Sequence, residues 1–184
     1  MGIRLGWAID SATRINLRLS SHGPAWLHTP SRPPGANVES STTRTTCNQL
    51  IRRGIDLCHL YRHAALTVSE PGLRAVLGED AQALATLVAE LQHEVELAGG
   101  EPRTRGSWRA ALRCRMVDGM ARAAARRDNA WIHALAQDES ALLRAFEHAI
   151  AHLPEESAHG LRRQLPRLRG IHLDMHSLDG AAHP

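Results

Sequence analysis

Apolar residues recur at intervals of three and four through most of the chain, a period that sets out helices rather than strands. Between Thr46 and Val68, the residues Leu50, Leu57, Tyr61, Ala64 and Val68 fall on one face, with Thr45 or Thr46 placed to cap the helix. Ser69-Glu70-Pro71-Gly72 breaks this pattern, and the expected N-cap is Ser69 with Pro71 in the first turn of the next helix. That second helix carries Leu73, Leu77, Leu84, Leu87, Val88, Leu91 and Val95 inward and stops at Gly99-Gly100. A loop from Glu101 to Gly106 leads into a shorter basic helix, about Ser107 to Arg126. Asp128 or Asn129 is the expected cap of a third long helix that runs to Leu153, with Trp131, Leu135, Leu142, Phe146 and Ala149 inward. Pro154 opens a fourth, bearing Leu161, Leu165, Leu168, Met175 and Leu178; Pro166 inside it is expected to kink the axis or split it.

Short turns follow the first and third long helices, and a long crossover joins the second to the third. That connectivity predicts an all-α fold over residues 46–178: a four-helix bundle of two antiparallel hairpins, with a short crossover helix between them. Residues 1–45 read differently. From Ser20 to Thr46 the chain is rich in Ser, Thr, Pro, Gly and His, too polar to offset its ordering entropy, so disorder is expected there. Ile15, Leu17 and Leu19 alternate with polar residues and suggest a short strand or a sticky segment, and residues 179–184 read as a flexible tail.

Composition narrows the function classes. Hydrophobic residues make up 43% of the 184 positions, and no apolar run approaches the ~20 residues of a membrane span. All 22 basic residues are arginine, a usage best explained by GC-rich coding bias, and the net charge of +3 is too small to imply nucleic acid by itself. Cys47, Cys58 and Cys114 are odd in number with no CxxC spacing, which argues against a disulfide framework or a zinc knuckle and for a reducing cytoplasm. The first residues show no uninterrupted apolar region of a signal peptide, since Asp10 and Arg14 break it.

Four ligand-capable side chains lie on or beside the apolar stripes, one per long helix: Cys58, Asp80, Glu139 and His172. Cys58 and Asp80 stand level about the first hairpin turn, whereas Glu139 and His172 are mismatched by roughly 5–6 Å about the second. A buried carboxylate needs a partner. One reading is a metal held by Glu139, His172 and Asp80, with Cys58 beside them; the other satisfies Glu139 through Arg169 or His172 on the facing helix.

Several short stretches carry a resemblance. They are Asp56 with Tyr61-Arg62-His63-Ala64-Ala65, Ala89-Glu90-Leu91-Gln92-His93-Glu94-Val95, Gly99-Gly100-Glu101-Pro102, Ser107-Trp108, Asp138-Glu139 with Ala145-Phe146, and Arg163-Gln164 followed by Ile171-His172. From Leu50 to Leu178 the chain resembles a bacterial ferritin-like family of unknown function, akin in fold to rubrerythrin-type four-helix proteins. The resemblance implies a ferritin-like bundle and suggests a role in stress response, and it brings no established activity. Ferritin-like di-iron sites take one Glu from each of two helices and a Glu-x-x-His from each of the others. Here Arg169 stands three before His172, Cys58 stands where an acid is wanted, and Asp80 is followed by Ala83.

Twelve histidines include the i,i+4 pairs His59/His63, His148/His152 and His172/His176; such pairs can chelate zinc, copper or nickel, but no HExxH arrangement accompanies them, and solvated side chains are the expectation. Charge is uneven, −6 from Glu70 to Glu101 and +7 from Pro102 to Arg127. The simplest account is complementarity between the crossover helix and helix 2, within the fold or between subunits. The alternative is phosphate or nucleic-acid contact by Arg103, Arg105, Arg109, Arg113 and Arg115, although no DNA-reading motif accompanies them. The favoured expectation is a non-catalytic cytoplasmic bundle without cofactor, acting by self-association or through protein partners. An iron- or manganese-binding redox or storage protein and an arginine-mediated nucleic-acid binder are the alternatives.

Overall fold

The computed structural model describes residues 34–120 and 124–182, and these form five α-helices with no strand among them. They are α1 (Pro34–Thr67), α2 (Pro71–Leu97), α3 (Trp108–Met120), α4 (Ala124–His152) and α5 (Glu155–Ala182). The expected strand at Ile15–Leu19 and the expected disorder of residues 1–33 lie outside the described residues. Helix α1 begins at Pro34, twelve positions ahead of the Thr46 boundary, so the Ser- and Thr-rich stretch that follows Pro34 is helical. Proline at a first helical position loses no intrahelical bond, which makes Pro34 a natural start. At the other end α5 runs to Ala182, past the boundary set for a tail at residue 179.

The apolar rows expected on α1, α2 and α4 are all buried, and on α5 Leu161, Leu168, Ile171 and Met175 are buried with Leu165 and Leu178 half-covered. Each fully buried Leu contributes about 1.5–3 kcal/mol. Aromatic residues are few, yet Tyr61, Trp131 and Phe146 are among the largest wholly buried side chains. Helices α1 and α2 pack together, as do α4 and α5; α1 also packs on α4, and α2 on α5. The shorter α3 lies against α1 and α4. Among the described residues no helix is long and apolar enough to cross a membrane.

Helix ends show where local chemistry departs from expectation. Glu70, not Ser69, caps α2: its carboxylate accepts from the N–H groups of Gly72 and Leu73. The α2 C-terminus closes as a Schellman motif, with Gly99 at φ 70°, Gly99 N–H donating to Glu96 O and Gly100 N–H to Val95 O. Asp128 caps nothing in its own helix, because the Ala- and Arg-rich residues before it continue α4 back to Ala124. Its carboxylate instead accepts from the backbone N–H of Ser69 at 2.9 Å and of Glu70 at 3.1 Å, tying the α1–α2 turn to α4. Pro166 does not split α5. The carbonyl it would leave unpaired belongs to Arg162, and both residues are exposed, so water can satisfy that carbonyl.

The acidic run on α2 meets α5, not the basic crossover helix. Glu90 accepts from Gln164 and, at 3.0 Å, from Arg167; Arg163 donates to Glu94. Among the described residues no carboxylate of α2 pairs with an arginine of α3, and Arg113 of α3 pairs with Asp138 of α4 instead.

Candidate functional site

The inward polar residues occupy the helices as expected but find few partners. Glu139 is 0% exposed, and neither carboxylate oxygen has a hydrogen-bond partner. Burial pushes its pKa up to about 9, with the negative charge of Asp174 adding to the effect. Asp80 is buried with Oδ2 unpartnered; burial first, then Asp174 and Glu79, raise it to about 7. Arg169 does not answer Glu139: it pairs with Glu147 at 2.8 Å at the surface. His172 is half-buried with Nδ1 unpartnered, burial foremost lowers its pKa, and it makes no hydrogen bond to Glu139. Cys58 donates weakly to Ala81 O at 3.4 Å, beside Asp80, in keeping with the level register of the two.

Orphaned oxygens and an orphaned imidazole nitrogen are present, but among the described residues no three His, Cys, Asp or Glu side chains converge as ligands. Burial also raises the Cys58 thiol pKa, against a smaller lowering by Arg62, and a thiol is a poorer ligand than a thiolate. The histidine pairs stay pairs: His148 and His152 have ring centroids 4.0 Å apart, His172 and His176 4.2 Å. His63 is not a solvated ring. Its Nε2 lies 2.7 Å from Asp118 Oδ2, and its ring lies 5.4 Å from that of Trp131.

A second place is built at the surface, where the segment between α2 and α3 lies along α1. Asn48, Arg52 and Asp56 recur every fourth residue, forming a polar row beside the apolar stripe of α1. Asn48 donates to Glu101 O at 3.0 Å and accepts from Arg103 N–H at 2.7 Å. Gln92 of α2 donates to Arg103 O at 2.7 Å. Asp56 accepts from both the N–H and the hydroxyl of Ser107, and Gly106 leaves the room that its carboxylate needs. The loop is therefore held at both ends.

Between this loop, α1 and α3 opens a groove of about 1170 Å³, lined by Arg52, Arg53, Arg103, Arg105, Arg109 and Arg113. Three carboxylates also line it, Asp56, Glu101 and Asp138. Asp56 is engaged by Ser107, and Asp138 accepts from Arg113 Nε at 3.1 Å. No carboxylate among the described residues pairs with Arg52, Arg53, Arg103, Arg105 or Arg109. Four of the five arginines singled out in the sequence thus meet in one groove, while Arg115 is exposed outside it. Arg52 and Arg53 were not foreseen; the Asn48-Arg52-Asp56 row was the signal that could have found them. Chemically, such a groove offers planar, permanently charged donors to an anion, and phosphate or carboxylate oxygens suit them bidentately.

No curated protein and no solved structure matches the chain. The family model described as Domain of unknown function (DUF2383) matches residues 42–152, a span that takes in the polar row of α1, the pinned loop, α3 and Glu139. By that match, the chain belongs to the DUF2383 family of domains of unknown function.

Proposed function

We propose that the chain is a non-catalytic ferritin-like four-helix bundle, cytoplasmic, that works by holding an anionic partner in the arginine groove. The ring of contacts from α1 to α2, α5, α4 and back to α1 supports the bundle, with α3 as its crossover helix. Three unpaired cysteines support the reducing compartment. One observation carries the functional reading: six arginines face three carboxylates in one groove, and two of those carboxylates are already engaged. A concentration of like charge costs self-repulsion in the free protein, which a bound anion relieves.

Heparin-affinity chromatography tests it. The wild-type chain should elute at clearly higher salt than a variant with Arg52→Ala and Arg109→Ala, both residues being exposed and remote from the core. Identical elution of the two would remove the reading. A second reading, self-association, is favoured by a different feature: Trp108, Leu112 and Met116 follow each other every fourth residue along α3 and are 73%, 46% and 54% exposed. A second copy covering that row should make the chain dimeric in size-exclusion with light scattering, and Leu112→Asp should return it to monomer.

A further inference from the structure

The groove does not end at its own rim. An adjoining hollow of about 410 Å³ shares Asn48, Arg52, Glu101 and Arg103 with it and carries the arginine track on to Arg44 of α1. Arg44 and Arg52 are separated by ~12 Å of helix at 1.5 Å per residue, so the track exceeds the reach of a single phosphate or carboxylate. The groove's lining also includes Trp108, 73% exposed although an indole gains far more from burial than most side chains. Guanidinium groups spaced along a channel, with an accessible aromatic face beside them, are the two components by which proteins hold unpaired nucleic-acid strands: charge tracks the backbone and the ring takes a base.

Resting on the anion-binding reading above, we infer that the occupant is a single-stranded nucleic acid. Its phosphates lie along Arg44, Arg52, Arg103 and Arg109, and one base stacks on Trp108. An acidic peptide or an inorganic polyphosphate offers the charge but nothing for the indole to stack against. A strand binds without sequence preference here, because the contacts are to backbone oxygens and to a ring face that every base possesses.

The test compares three ligands of matched charge on the full chain, by fluorescence anisotropy or competition: a dT15 oligonucleotide, inorganic polyphosphate and poly-glutamate. The oligonucleotide is expected to bind most tightly. Trp108→Ala should weaken it about tenfold and leave polyphosphate unchanged. Removing Arg52 and Arg109 together should weaken all three and make the oligonucleotide's log–log salt dependence shallower by about 1.4, at ~0.7 for each phosphate no longer neutralised. Circular dichroism of both variants should match wild type, since these side chains are exposed. If polyphosphate or poly-glutamate binds as tightly as dT15, or Trp108→Ala changes nothing, the strand assignment falls while the anion site stands. If no ligand responds to loss of Arg52 and Arg109, both fall together.

Discussion

Unpartnered charge sits in two regions of this molecule, and the two handle it in opposite ways. Inside, Glu139 has no donor within reach, and the low dielectric forces it to keep its proton up to about pH 9. Outside, five of the groove arginines have no carboxylate partner among the described residues, yet water screens them and they stay charged. A buried orphan therefore costs the fold and gives up its charge, whereas an exposed cluster keeps its charge against a self-repulsion that water only screens. The interior acids bear on stability; on the proposed reading, the surface arginines bear on binding.

The largest effect that would break this contrast is a pH dependence. Glu139 retains its proton in the folded state and loses it near pH 4.5 when unfolded, with Asp80 behaving likewise between about 3.8 and 7. The folded state thus binds more protons, and stability falls as pH rises, by up to about 1.4 kcal/mol per unit for each group within its window. Urea unfolding from pH 5 to 9 should show this decline, and Glu139→Gln should flatten it. A variant as steep as wild type would mean that Glu139 is solvated or paired after all.

Asp128→Ala comes next. It leaves the N–H groups of Ser69 and Glu70 without their acceptor where α1 turns into α2, and about 1–3 kcal/mol should be lost on thermal unfolding. No change in Tm would show that water replaces the carboxylate there. The smallest expected effect lies in the groove. Arg109→Ala should shift unfolding by no more than about 0.5 kcal/mol, the usual range for a surface substitution. A large loss would make that side chain part of the scaffold rather than of a binding surface.

Most of the helical layout is legible in the apolar period, because every long helix must bury one stripe. Leu77, Leu84 and Leu91 on α2 show this most plainly. What the period misreads are positions where polar side chains act across the fold. Asp128 looks like a cap by its place before an apolar run, but only the packing of α4 against the α1–α2 turn shows which N–H groups it serves. The start of α1 is hidden because Ser, Thr and Gly are weak helix formers, and Pro34 is an ambiguous sign until the helix behind it is seen. At the groove, Arg103, Arg105, Arg109 and Arg113 stand out as a run, whereas Arg52 and Arg53 belong to a distant stretch and join them only through the loop laid along α1. Arg169 is a reasonable partner for Glu139 by helix position, yet its long side chain reaches Glu147 in solvent more cheaply than it could enter the core.

Asn48 and Asp56 fasten the segment from Glu101 to Ser107 at two points along one helix, roughly 12 Å apart at 1.5 Å per residue. The backbone carrying Arg103 and Arg105 is therefore tied to α1 on either side of the two arginines. On the proposed reading, a guest need only order its own chain and the tips of the guanidinium arms, so more of each contact would survive as affinity and dissociation would be slowed.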